Sequence, residues 1–254
     1  PPSYIVDGSY KGQGLVEPIY KQIFPYLHEY NHKTSIANFK RVIKNIELKT
    51  NTCSVALLKN REREKVVEYS VPHFLVHPVR IIIKAQSLKK FEPYAQTDGT
   101  YSLSQILRDE KLILGYSLGR SYSKELDTIL DTLVNKKNSM LTAQNSIFIG
   151  LLKMLVRNRI DYTLGYSHEM TYVSKDLKLK EEFLSLPITD SNSLIPVYVG
   201  CPKNEWGQRI IDKLNPYLQQ NRANKLYYGA YLKWLDSQAQ KEYPKLVDEF
   251  FKKQ

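Results

Sequence analysis

Residues 53–84, CSVALLKNREREKVVEYSVPHFLVHPVRIIIK, limit the possible folds more than any other stretch of this chain. The apolar run at 53–58 predicts a short buried strand. Residues 60–65 carry too much charge for a strand and predict a helical turn that holds Arg63. Residues 73–85 are rich in β-branched side chains but interrupted by Pro78. Proline cannot donate to a strand ladder, so this piece is expected at a sheet edge or as a crossing segment.

The flanks alternate. At 16–30, Val16, Ile19, Tyr20, Ile23, Phe24 and Leu27 recur with the helical period; Pro18 suits the first turn and Pro25 is expected to kink or split the helix. Asn38 is expected to cap a second helix containing Phe39, Val42, Ile43 and Ile46. Residues 86–101 are polar and turn-rich and read as a linker, after which Ser102 caps a short helix. A strand at 112–116 runs into Ser117-Leu118-Gly119-Arg120-Ser121 and then a helix at 126–133. A strand, a glycine turn and a helix start form an anion site in principle, because unpaired N–H groups face the ligand, with Arg120 and Ser121 placed to add to it. A helix at 145–158, strands at 161–166, 183–188 and 195–201, and helices at 206–218, 225–235 and 242–251 complete the order. Alternation predicts an α/β fold with mainly parallel sheets. Polar crossings near 86 and 190 predict a middle lobe, 86–189, inserted between 1–85 and 190–254.

The charge sets one function class aside. Lys and Arg number 37 against 26 Asp and Glu, a net charge of +11 that invites a nucleic-acid reading. The charges are interleaved, as in KNREREK and KDLKLKEE, with no basic arm, zinc-finger spacing or RNA-binding aromatic motif. A solvated basic surface is the simpler reading. No apolar run approaches the ~20 residues that span a bilayer. The chain opens on Pro1 without a basic and apolar leader, so a signal peptide has been removed or there never was one. Cys53 and Cys201 match no metal spacing; they are two separate thiols in a reducing compartment or a pair in an oxidising one.

A set of short motifs carries a resemblance. In order they are Pro1-Pro2, Lys11-Gly12-Gln13-Gly14, Cys53-Ser54, Lys59-Asn60-Arg61-Glu62-Arg63-Glu64, Tyr69-Ser70-Val71-Pro72, Gly119-Arg120-Ser121-Tyr122, and Cys201-Pro202-Lys203 with Trp206-Gly207. Each is weak alone; their order and spacing make the set specific. The chain resembles the periplasmic solute-binding proteins of type II, family 3, the amino-acid-binding-like class, and within it an uncharacterised Gram-negative branch. The resemblance implies a two-lobed fold, each lobe a mixed, mainly parallel sheet flanked by helices, joined by two hinge crossings and closing on a ligand in the cleft. It implies a periplasmic, exported, monomeric binding protein without cofactor, metal or nucleic acid, serving an ABC transporter permease or a membrane sensor.

The resemblance also places residues. Arg63 maps onto the family's carboxylate-gripping arginine, whose planar fork matches a carboxylate with two parallel bonds; the alternative is a surface pair with Glu62 or Glu64. Helix-start contacts map onto Arg120 and Ser121, with Tyr122 beside them. A wall aromatic maps onto Tyr4, and the strand-end backbone onto Ala56, Leu57 and Leu58. Where amino-acid binders carry a carboxylate for the ligand ammonium, this chain has Tyr166, with Glu169 as a substitute. A buried ammonium without a counter-charge is costly, which favours an anionic or aromatic-compatible ligand over an ordinary α-amino acid. In the implied fold the strand that begins at Cys53 and the strand that finishes at Cys201 are antiparallel neighbours, which implies a disulfide. The alternative function is a dehydratase-like enzyme on the same fold, with His73, His77, His168 and Glu169 as candidate acids and bases.

Overall fold

Proline ends the first helix where its apolar periodicity would carry it on. Pro25 confines α1 to Glu17–Ile23 and turns the next residues, Phe24–Leu27, into a 3₁₀ turn. The computed structural model describes residues 2–37, 39–48, 50–117, 122–133, 138–142, 147–189, 191 and 193–253. The expected cap Asn38 lies outside them. After α1 come α2 (Phe39–Glu47), β1 (Ser54–Leu57), β2 (Val67–Tyr69), β3 (Phe74–Val76), β4 (Arg80–Lys84) and α3 (Leu103–Arg108). They are followed by β5 (Leu114–Ser117), α4 (Lys124–Leu133), β6 (Ser139–Thr142), α5 (Ile147–Val156), β7 (Tyr162–Gly165), α6 (Ser167–Asp176) and β8 (Phe183–Leu186). The chain closes with β9 (Ile195–Pro202), α7 (Glu205–Asn221), α8 (Lys225–Leu232) and α9 (Ser237–Lys252).

The contacts divide the chain into two units. The first contains Ser3–Val76, Leu194–Tyr231 and Lys245–Gln254. Its sheet is organised on β9, which pairs antiparallel with β1, β2 and β3. The apolar side chains of β1 point inward: Val55 and Leu57 are buried, and Leu57 packs with Ile46 and Val67. Helix α7 starts hard against the end of β9. Asn204 caps it by accepting from the Gly207 N–H at 2.8 Å. A Cβ on Gly207 would lie 1.9 Å from the Pro202 carbonyl oxygen, so only glycine allows this close approach.

The second unit contains Pro1–Pro2, His77–Ser193 and Leu232–Pro244. Its sheet has the order β6-β5-β7-β4-β8. Strand β4, RIIIK, is buried on both faces, and its isoleucines divide between two cores by the two-residue period of a strand. Ile81 and Ile83 pack with Leu103, Ile106, Leu126 and Leu164; Ile82 packs with Leu151, Leu155 and Met170.

Two expectations need adjusting. Residues 73–85 are the crossing segment of the two alternatives and not one edge strand. Pro78 separates β3 from β4, and β4 is an inner strand flanked by β7 and β8. In the contact division the chain passes from one unit to the other at Val76/His77 and Ser193/Leu194, and Leu232–Pro244 groups with the middle segment. Residues 86–101 are not a plain linker: they form 3₁₀ turns at Ala85–Lys90 and Glu92–Tyr94, anchored by the fully buried Phe91 edge-on to Tyr162. The pairing is mixed, as the resemblance implied; among the described residues the ladders β5–β6 and β5–β7 are parallel and the others antiparallel.

The Leu232–Pro244 piece is fastened by buried polar groups. Asp236 is 7 % exposed, and its Oδ1 accepts from the N–H groups of Gln238 and Ala239 at 3.1 Å each, capping α9. Its Oδ2 accepts from Ser167 Oγ at 2.7 Å and from Ser185 Oγ. The buried Arg80 donates to the Ser185 carbonyl at 3.2 Å and pairs with Glu242 at 3.4 Å. Replacing Asp236 by Ala removes the cap and strands two buried hydroxyls. The expected loss is about 2–3 kcal/mol, read from the urea midpoint. An unchanged midpoint contradicts this fastening role.

Candidate functional site

The Arg63 turn grows directly from β1. After Leu57 enters the core the chain emerges at Leu58, which is 38 % exposed. Asn60 then organises the turn: its Oδ1 accepts from the Arg63 N–H at 2.9 Å and its carbonyl from the Glu64 N–H at 3.0 Å. The 3₁₀ turn Arg63–Lys65 follows. Of the charged side chains at 61–65, Arg63 alone is half-buried and the others are exposed. Glu62 is engaged by Lys65 at 2.7 Å. Arg63 Nη1 donates to the Leu58 carbonyl at 2.9 Å. This bond holds the guanidinium against the strand end.

Two tyrosines complete this surface, and the reading of the sequence missed them. Tyr69 on β2 and Tyr198 on β9 meet edge to face with ring centroids 5.7 Å apart. Lys59 lies over both rings, 4.4 Å from Tyr198 and 5.2 Å from Tyr69. Tyr69 also donates to the Leu58 carbonyl at 3.4 Å. Burial raises the Tyr69 hydroxyl above its usual range, opposed by the nearby Arg63 charge. Burial also raises Tyr198, with Glu64 adding to it. Both tyrosines therefore stay neutral donors. The turn motif around Arg63 was legible locally; its aromatic neighbours come from strands distant in sequence.

The other residues expected in the first unit lie on two supports. Ala56 is half-buried on β1, while Leu57 leaves only its backbone for any ligand because its side chain is in the core. Tyr4 is half-buried and stands edge-on to Tyr20 on α1 at 6.4 Å. Its loop is held by Glu17, whose carboxylate accepts from the N–H groups of Ile5 at 3.3 Å and Gly14 at 2.5 Å.

In the second unit, Tyr166 immediately precedes α6 and stacks on His168 at 5.3 Å. Glu169 is half-buried in the first turn of that helix. Tyr122 is 5 % exposed within the apolar core, and its N–H donates to Asp127 at 2.8 Å. Arg120 and Ser121 lie outside the described residues. The structure thus gathers Leu58 and Arg63 at one strand end and Tyr166 with Glu169 at one helix start, and gives Tyr122 a packing role.

Cys53 and Cys201 form a disulfide, with Cα atoms 4.3 Å apart. The neighbouring pair Ser54–Gly200 sets the β1–β9 register that brings the two cysteines together. Among the described residues no three His, Cys, Asp or Glu side chains gather as a metal site requires, and no helix is long and apolar enough to cross a membrane.

No protein-family model matches the chain, and no curated protein matches it. Solved structures do. The second substrate-binding domain of Lactococcus lactis GlnP is 15% identical over 87% of this chain and 85% of its own, with a TM-score of 0.60. An ancestral cationic amino acid solute-binding protein is 15% identical over 88% of this chain and 86% of its own, with a TM-score of 0.61. An ancestral arginine-binding protein bound to arginine is 18% identical over 92% and 93%, with a TM-score of 0.59. At this identity the likeness establishes the fold, and the chain has the type II binding-protein fold that its motifs implied.

Proposed function

We propose that this chain is an extracytoplasmic solute-binding protein of the amino-acid-binding-like class, without catalysis. It captures a small anionic or amino-acid-like ligand and presents it to an ABC transporter permease or a membrane sensor. The observation that carries this reading is the placement of Arg63, the one half-buried cation of its turn, held to the strand end by the Leu58 carbonyl. A guanidinium so held recognises a carboxylate with little further ordering, so less affinity is lost to entropy. The neutral rings of Tyr69 and Tyr198 beside it suit an anion or an aromatic acid. Tyr166 offers no counter-charge to an ammonium, and Glu169 is the nearest carboxylate in sequence. The Cys53–Cys201 disulfide supports an oxidising, exported setting.

Binding to the folded state raises the melting temperature by mass action. In a thermal-shift panel of amino acids, dicarboxylates and aromatic acids, at least one carboxylate should stabilise the protein, and Arg63→Ala should weaken its binding tenfold or more. That factor corresponds to the loss of a charge-assisted hydrogen bond of about 1.5–3 kcal/mol. No shift with any carboxylate, or full affinity in Arg63→Ala, overturns the assignment.

A further inference from the structure

The first unit contains a cavity of about 340 Å³ that Arg63, Lys59 and Tyr69 do not line. It lies among α1 with its following 3₁₀ turn, the segment 30–37, α2, the start of β1, and α7. It opens to solvent along residues 31–35, which are exposed, while Ile23, Leu27, Ile210 and Leu214 form its buried floor. It reaches the size range of small-molecule sites.

The lining specifies the chemistry of an occupant. Two aromatic pairs contribute to the walls. Phe24 stacks on His32 with centroids 4.2 Å apart and planes 8° from parallel, and Tyr30 stands edge-on to Trp206 at 6.5 Å. Ile210 and Leu214, both buried, supply apolar surface. Asn45 and Thr52 add neutral hydrogen-bonding groups. Among the described lining residues Lys33 alone carries a fixed charge, and it is exposed. A carboxylate or ammonium buried here meets no buried counter-charge among these described residues, which makes its desolvation costly. A flat ring with a polar edge meets aromatic faces, apolar surface and neutral donors and acceptors together.

We propose that this cavity is a second binding site, separate from the Arg63 turn, for an uncharged planar aromatic molecule bearing an N–H or O–H group. Indole alone serves as the probe. The chain has two tryptophans, Trp206 and Trp234, so protein labelled with 5-fluorotryptophan gives a reporter on the cavity and an internal control. Trp206→Phe assigns the signals. The expected result is a saturable shift of the Trp206 ¹⁹F resonance on titration with indole, and none at Trp234. Val42→Phe fills the cavity from α2 and should weaken indole binding tenfold or more, while Arg63→Ala leaves it unchanged. Thr52→Phe, approaching from the β1 side, replaces Val42→Phe if that variant does not fold. A static Trp206 resonance, unchanged affinity in the filled variant, or loss of binding in Arg63→Ala overturns the proposal.

Discussion

Replacing Cys53 and Cys201 together by alanine should destabilise the protein by up to about 5 kcal/mol, the chain-entropy value for cross-linking residues 148 apart. The bond joins β1 to β9, and the segment it encloses contains all of His77–Ser193. A denatured chain freed of that link gains loop entropy that the native chain does not. If the enclosed unit stays folded while the first unit opens, the effective loop is shorter and the loss is smaller. Urea unfolding of the double variant and of reduced wild type gives the size of the effect; both should fall together, and reductant should leave the variant unmoved. A loss below about 1 kcal/mol, or two titratable thiols in exported protein, contradicts the pairing and its role.

Acid should weaken the native state well above the range where most carboxylates titrate. His73 is fully buried, and burial pushes it from 6.5 down to about 4, only partly offset by its ring bond to the Val55 carbonyl at 2.9 Å. His77 is held well below its usual value by burial first, then by Arg80 and His168. The sign follows from proton counting. Between pH 6.5 and about 4 the unfolded chain binds a proton at His73 that the native chain refuses. Stability is therefore complete above pH 6.5 and declines as pH falls to about 4. The loss is about 3 kcal/mol from His73, and His77 adds in the same direction. Denaturant midpoints across this window measure it. His73→Gln retains a hydrogen-bond donor without the titration and should flatten the decline; a variant that tracks wild type through the window removes His73 as its source.

Much of the local structure was legible because local periodicity reports burial. The spacing of Val16, Ile19 and Ile23 fixed a helix, Pro25 its end, and Ser102 the cap of α3, where its hydroxyl accepts from Gln105. Weakly patterned elements escaped. Strand β2 is three residues long, β6 reads Ser-Met-Leu-Thr, and α6 mixes buried Ser167 and Thr171 with Met170 and Val173, so none shows a clean apolar face. The candidate site divides the same way. Arg63 was visible through its turn, whereas Tyr198 reaches Tyr69 and Lys59 from β9 and Lys59 became relevant only through the two rings.

By itself the sequence determined the α/β alternation, the short buried strand before the Arg63 turn and the absence of a nucleic-acid pattern behind the positive charge. Those properties depend on side chains a few residues apart. The tertiary structure decided that β4 belongs with β7 and β8, and that Asp236 serves Ser167 and Ser185. It also decided that an aromatic-walled cavity lies in the same unit as the Arg63 turn. Each of these joins groups from 50 to nearly 200 positions apart in the sequence. No local pattern encodes such a pairing; it is selected only when the whole core is packed and its buried polar groups are satisfied.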